Sequence, residues 1–454
     1  MRIALISTYE LGHQPLHVAA PAARLLMEGH EVRCCDLAVE PLPSDLAGWA
    51  EAAAISVPMH TAMRLGVEVA VGLRLSRPDL PIAFYGLYAA VGADRTLAGL
   101  ADRLIAGEYV DDLAAWPAGT GSGLTVEIGL HESVVPARNL LPPLDGYARL
   151  SIDGEERVAA YVEASRGCRH RCRHCPVPSV YDGRFRIVDR ESLLADISQL
   201  VAMGARHVTF GDPDFLNGPA HSQHVVDELH ASFPGLTFDI TAKVEHLLAH
   251  RDVLPGMVDK GLVFVVSAFE STNGRILGLL DKGHTASDMS EVVDLVRCAG
   301  AEVRPSWLPY TPWTTPADVA DIFEFLQRHR LFGATDPVQL SIRLLVPDGS
   351  LLLGLPEMQP HLGPYDHRSL THTWSAADPM VDALQAEAAR LAEEGAGGHP
   401  PADTLAEMWS QAAAAALRPS PPVLEAGPAG PHLTEPWFCC AEPTISQLQL
   451  VGRG

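Results

Sequence analysis

Cys168, Cys172 and Cys175 stand in the string EASRGCRHRCRHC, a C-x3-C-x2-C spacing that gathers three thiols on one short stretch. A loop carrying three thiolates can wrap one face of an iron–sulfur cubane and leave the fourth iron without a protein ligand. An open iron is a place for a substrate or cofactor. The competing reading is a structural zinc site completed by His170 or His174, although such sites favour paired C-x2-C units. A second thiol pair, Cys439 and Cys440, lies in PWFCCAEPT. Adjacent cysteines rarely bridge each other, but together they can chelate a thiophilic centre, and a thiolate there would be a soft nucleophile or ligand. Cys34 and Cys35 fall on a predicted buried strand, and Cys298 in a predicted helix; these three are read as small hydrophobes.

The elements that must position these groups follow from hydrophobic periodicity. Residues 1–125 alternate short apolar strands (Arg2–Ser7, Glu31–Cys35, Ala52–Val57, Pro81–Tyr85, Arg103–Ala106) with helical stretches such as His17–Met27 and Ala62–Leu75. This pattern predicts a doubly wound, Rossmann-like parallel sheet, whose loops Thr8–Pro15, Pro58–Thr61 and Gly86–Ala93 would line a crevice at the carboxyl ends of the strands. The Gly-rich AGTGSG at Ala118–Gly123 lacks the flanking strand and helix of a phosphate cradle and reads as a linker. A Pro-rich connector, 126–156, has its docking point at Leu140–Tyr147. From 157 to about 370 a second alternation begins, with near-continuous apolar runs as in a buried parallel sheet. Its predicted strands are Val158–Ala164, His207–Phe210, Thr237–Ile240, Leu262–Ala268, Glu302–Trp307 and Val338–Leu345. Six strand and helix units suit a partial (β/α)6 barrel, with chemistry at the C-terminal strand ends. Residues 371–454 read as a helical extension, Met380–Glu394 and Ala402–Leu417, then a mobile Ala/Pro/Gly segment, Arg418–Pro431, and the Cys-Cys tail.

The 454 residues hold 33 Lys+Arg against 56 Asp+Glu, a formal net charge of -23, which argues against a nucleic-acid partner held by a basic surface. The start MRIALISTYE lacks a signal-peptide pattern, and no apolar run is long enough to span a membrane, so a cytoplasmic protein without a membrane partner is expected. Lys243, Lys260 and Lys282 are its three lysines in a chain that otherwise uses Arg.

Over Arg157–Leu353 the chain resembles the radical SAM superfamily. The resemblance implies that the three cysteines hold a 4Fe-4S cluster whose open iron chelates the amino and carboxylate groups of S-adenosylmethionine, and that an electron passed to the sulfonium breaks a carbon–sulfur bond. It also implies that Gly211 and Asp212, in TFGDPDF, receive the methionine amino group, with Asp standing where the family usually has Glu. Glu270 in SAFES would contact the ribose hydroxyls, Lys243 in TAKVEH would pair with the carboxylate, and His174 stands where relatives place an aromatic residue against adenine. Without the family, Asp212 reads as a helix N-cap, Glu270 as a solvated turn residue and Lys243 as a surface residue.

SWLPYTPWTT and the preceding doubly wound domain resemble the radical SAM enzymes with a cobalamin-binding domain, so cobalamin is a possible cofactor. The D-x-H-x-x-G string that usually supplies the cobalt ligand is absent, and His13 in ELGHQP is the residue on the corresponding loop. The tail resembles the radical SAM group named for a CCAEP tail, in which selenocysteine can take the second position. The expected enzyme cleaves S-adenosylmethionine reductively and passes a carbon fragment to a small-molecule acceptor held by Cys439 and Cys440, with a flavodoxin- or ferredoxin-type electron donor. Two versions compete: 3-amino-3-carboxypropyl transfer to a soft atom such as trivalent arsenic, and cobalamin-dependent methyl transfer. A non-catalytic metalloid-binding protein is the alternative of another class.

Overall fold

The structure is a computed structural model and describes residues 1–91, 99–118, 123–130, 132–396, 400–425, 429–435 and 440–451. The apolar runs of the first hundred residues become β1 Arg2–Ser7, β2 Glu31–Asp36, β3 Ala52–Ser56, β4 Ile82–Tyr85 and β5 Arg103–Gly107. They form a parallel sheet in the order β2-β1-β3-β4-β5-β6, in which β6, Gly123–Glu127, is a further strand that the Gly-rich reading of this stretch missed. Residues 119–122 of the expected linker lie outside the described residues, and Gly123 already belongs to the sheet. The helices Leu16–Met27 and His60–Ser76 cover opposite faces, each burying an apolar stripe against the central strands.

The connector docks where expected. Leu144 enters the core of the second domain, while Leu141 enters that of the first. Arg138 is fully buried between them: its guanidinium donates to both oxygens of Asp196 (3.0 and 2.8 Å), to the Gln14 carbonyl (3.1 Å) and to the Tyr161 carbonyl (2.7 Å). One side chain thus joins the first domain, the connector and the second domain.

The second sheet has the order β14-β13-β12-β11-β8-β7-β17. Its parallel part consists of β8 Glu155–Val162, β11 His207–Phe210, β12 Thr237–Thr241, β13 Leu262–Glu270 and β14 Glu302–Trp307. β7 Arg149–Ile152 and β17 His432–Leu433 extend it antiparallel beyond β8. The α/β class and the partial barrel stand as read, but the sixth strand does not. Pro337–Ser341 is a 3₁₀ turn, and the run touches the sheet region through a lone bridge, Tyr310 to Arg343. An apolar run fixes burial without fixing the backbone, and Val338, Leu340, Ile342 and Leu344 are all buried without forming a ladder. The remaining short strands are the antiparallel pair β9 Ser165–Gly167 and β10 Phe185–Ile187 beside the cysteine loop, and the hairpin β15 Leu362–Asp366 with β16 Thr371–Trp374.

Two further expectations change. The segment from Arg418 is held, since Arg418 pairs with Asp321 and Glu324 (2.7 Å each) and the Glu425 N–H reaches Gln327. The described part of the tail is docked as well. Tyr9 donates to Glu435 (3.1 Å), Thr61 donates to the Ala441 carbonyl (2.8 Å), and Glu442 accepts from His60 (3.1 Å) and Arg64. Cys298 is exposed and packs nowhere as a hydrophobe, whereas Cys35 is buried and burial pushes both Cys34 and Cys35 thiols up to about 12. Among the described residues no helix is long and apolar enough to cross a membrane.

Candidate active site

The carboxyl ends of β8, β11, β12, β13 and β14 open into a cleft of about 430 Å³ whose far wall is made by Leu11, Pro58, Met59, Leu87 and Tyr88 of the first domain. That lies within the roughly 300–1,000 Å³ of a small-molecule pocket. Cys168, Cys172 and Cys175 all line it, together with His174, Gly211, Lys243, Glu270, Lys282, Trp307 and Cys440.

Local structure explains the placement of the loop. Gly167 ends β9 with φ +76°, and a Cβ there would fall 2.5 Å from the Arg184 carbonyl, so only glycine turns the chain into the loop at this point. Asn217, buried on the 3₁₀ turn Phe215–Asn217, accepts the Arg169 N–H (3.2 Å) and lies 3.8 Å from the Cys168 sulfur. Asp214 caps that turn through the Leu216 N–H. Burial raises the Cys168 thiol and pushes Cys175 up to about 12, so a cation beside these two sulfurs would favour their thiolates. The two histidines of the zinc reading have other partners. His170 Nε2 is 3.1 Å from His246, and His174 Nε2 is 3.1 Å from Glu270. Three clustered thiols at the edge of a large cleft fit a cuboidal cluster with one open iron.

Glu270 closes β13 at a register shift and adopts φ +63°, a left-handed conformation costly for a non-glycine residue and common at functional sites. It is buried rather than a solvated turn residue. Lys282 Nζ lies 3.1 Å from its carboxylate. Burial alone would raise the Glu270 carboxyl, yet Lys282 and His174 outweigh it and hold the group well below the usual carboxylate range. Lys282 escaped the sequence reading. Its one signal was its rarity, because nothing in the spacing indicates that a residue twelve positions on folds back to the strand end. Lys243 is buried on the cleft wall, not on the surface, with Nζ 3.4 Å from Glu245.

Gly211 lines the cleft, and a Cβ there would collide with the Tyr161 ring at 2.0 Å. Asp212 does not line it. Its carboxylate accepts from the Ala164 N–H (2.9 Å) and the Ser165 hydroxyl (2.6 Å), so it ties the end of β8 to β11, and burial raises it to about 7. It caps no helix either, that role falling to Asp214. His13 is equally remote: buried, its ring 5.0 Å from that of Tyr161, and pushed down to about 4 by burial. Cys440 stands on the cleft wall, whereas Cys439 lies outside the described residues.

Below the cleft a charged network crosses between the domains. His17 sits 3.0 Å from Glu10 and 3.1 Å from Glu163; Arg166 donates to Glu163 (2.7 Å) and Glu108 (2.9 Å), and Tyr181 to Glu108 (2.9 Å).

Residues 162–326, which hold the three-cysteine loop and the parallel strands β11 to β14, match the family model described as the Radical SAM superfamily. The cofactors of that domain are a 4Fe-4S cluster and S-adenosylmethionine. Curated relatives include the tRNA-2-methylthio-N(6)-dimethylallyladenosine synthase of Chlorobium phaeobacteroides, 24% identical over 50% of each chain, and the bacteriochlorophyllide d C-8(2)-methyltransferase of Chlorobaculum tepidum, 24% identical over 56% of each. The chain spans about half the length of these relatives. In fold it resembles the cobalamin-dependent S-adenosylmethionine radical enzyme OxsB (TM-score 0.64, 14% identity, 87% of this chain and 67% of that one). It also resembles the methyltransferase TsrM of Kitasatospora setae (TM-score 0.54, 16% identity, 77% and 74%).

Proposed function

We propose that the chain cleaves S-adenosylmethionine reductively and transfers a carbon fragment from it to a small-molecule acceptor presented at Cys440. The observation that carries this is the position of Cys440 on the wall of the cleft that holds Cys168, Cys172 and Cys175. When bound, the reduced cluster supplies the electron that breaks a carbon–sulfur bond. Around it, Gly211 leaves its backbone open at the end of β11, Lys243 offers a cation to a carboxylate, and Glu270, kept ionised by Lys282, offers an acceptor for hydroxyl or ammonium groups. Asp212 serves as a positioning residue for the β8 end. A soft acceptor such as trivalent arsenic suits a thiolate at Cys440, with Cys439 beside it in sequence, and a flavodoxin- or ferredoxin-type protein suits the need for a low-potential donor. Relatives named for tRNA and ribosomal-protein substrates show that the catalytic domain can serve large acceptors, but the net charge of -23 favours a small one here.

A second reading, methyl transfer through cobalamin, has its support in the first-domain wall of the cleft and in the likeness to OxsB, one structure of which has aqua-cobalamin bound. His13, the residue read as the candidate cobalt ligand, is buried behind Tyr161 and does not itself line the cleft. Nucleoside analysis with reconstituted cluster and a strong reductant separates the two. Methylthioadenosine indicates aminocarboxypropyl transfer; 5′-deoxyadenosine with S-adenosylhomocysteine indicates cobalamin-dependent methylation. Cys440→Ser should abolish transfer while uncoupled cleavage persists, and full transfer by that variant would refute the role given to the tail.

A further inference from the structure

Cys440 and Ile342 line two cavities at once. One is the cleft; the other, about 400 Å³, lies between the tail segment 440–444, the stretch 341–345, the strand Thr371–Trp374 and the helix Pro379–Ala396. The two residues therefore form a common wall, and Ile342 is a buried apolar side chain in it. The charged and titratable groups of the second cavity already have partners. Arg343 donates to Asp382 (2.7 Å) and to the Trp374 carbonyl (2.6 Å) while its guanidinium lies 3.5 Å over the Trp374 ring. His372 is 3.0 Å from Asp348, Glu393 accepts the Ile445 N–H, and Glu442 accepts from His60 and Arg64. An anionic ligand would find no cation that is not already committed, and removing it from water without one is unfavourable. What the wall offers instead is apolar surface, neutral polar groups and a thiol.

We infer that this second cavity is a binding chamber through which a small thiophilic molecule without negative charge reaches Cys440 from outside the cleft. The inference rests on the proposed role of Cys440 for its purpose, but not for its geometry. The docked tail, pinned by Glu442, is what closes the chamber, so cofactor and acceptor have separate entrances. An acceptor can then reach the thiol while the cleft is already filled.

The probe is iodoacetamide, a small neutral thiol reagent whose carbon is attacked by the Cys440 thiolate, forming a C–S bond and releasing iodide. It is applied to the full-length holoenzyme, with cluster and S-adenosylmethionine in place, and modification of Cys440 is followed by peptide mass mapping. Wild-type protein should be alkylated at a rate little changed by S-adenosylmethionine. Ala389→Trp, which puts an indole into the chamber from the helix Pro379–Ala396, should slow alkylation about tenfold or more, corresponding to about 1.4 kcal/mol of barrier. Thr373→Trp fills the chamber from β16 and serves as the second variant should the first fail to fold, with an unchanged cluster spectrum as the check. Undetectable alkylation of the wild type, protection by S-adenosylmethionine, or wild-type rates in a folded plugged variant would each overturn the inference. Because the readout is alkylation, these outcomes are independent of the transfer assay on Cys440→Ser.

Discussion

Glu270 is a carboxylate whose burial opposes its charge, and Lys282 is the cation that reverses the balance. Removing one member of a buried pair strands the other, at a cost of about 3–5 kcal/mol. Lys282→Ala should therefore lower stability by that amount in urea unfolding, and adding Glu270→Gln should restore part of it, because the coupling between neighbours is then lost from both sides. Activity should fall in both variants. In the cysteine loop, Cys168→Ala, Cys172→Ala and Cys175→Ala should each lose the iron and the broad visible absorbance of the cluster, since two thiolates do not hold a cubane against solvent. A variant with full iron content would refute the assignment. That the three cysteines share one cleft wall was legible because their spacing puts them on one short loop. The pairings His174 with Glu270 and Lys282 with Glu270 were not. They span 96 and 12 residues and depend on where β13 ends and on the left-handed turn at Glu270. Asp212 was legible as a site-adjacent acid, but its side-chain direction depends on pleat and register, which place Gly211 and Pro213 on the cleft and send the Asp212 carboxylate towards Ala164 and Ser165.

At the scale of elements, strands and helices with clear periodicity emerged within one to three residues of their predicted bounds, as at β11, β14 and the helix His60–Ser76. The failures share one cause, namely tertiary contacts that no local pattern encodes. Val338–Leu345 carries the composition of a strand, yet it serves as packing against the C-terminal helices. β6 has a glycine start and exposed leucine and valine, and exists because β5 offers it an edge. The tail looked separable, yet it is pinned to the first domain by Glu435, Ala441 and Glu442. The connector provides the strictest test at this scale. Arg138→Ala would leave Asp196 buried without its cation and free two backbone carbonyls, so a loss of about 3–5 kcal/mol in global stability is expected. A loss under about 1 kcal/mol would mean that the domains do not depend on this joint.

Across the whole molecule, the first domain and the half-barrel meet through a buried charged network rather than an apolar seam alone, and His17 is its pivot. It reaches Glu10 within its own domain and Glu163 across the interface. Burial by itself would lower the imidazole, but the two carboxylates outweigh it and raise His17 from 6.5 to about 10. A group raised on folding contributes stability that is fully present below its unfolded value and disappears as pH rises through its folded value. The contribution of His17 should therefore be constant below about pH 6.5 and decline between about 6.5 and 10. Other groups titrate in that range too, so the informative quantity is the difference between wild type and His17→Gln, measured by urea unfolding at several pH values. Below pH 6.5 the variant should be less stable by about 3–5 kcal/mol, as for a broken buried pair, and the gap should close as pH approaches 10. Closing of the gap on acidification instead would reverse the sign and place a neutral His17 at the interface. A gap independent of pH would reduce the residue to a packing role. With the predicted sign, the imidazolium is the element that keeps the first-domain wall of the cleft against the cysteine loop at neutral pH, and its loss should impair transfer more than it impairs cluster assembly.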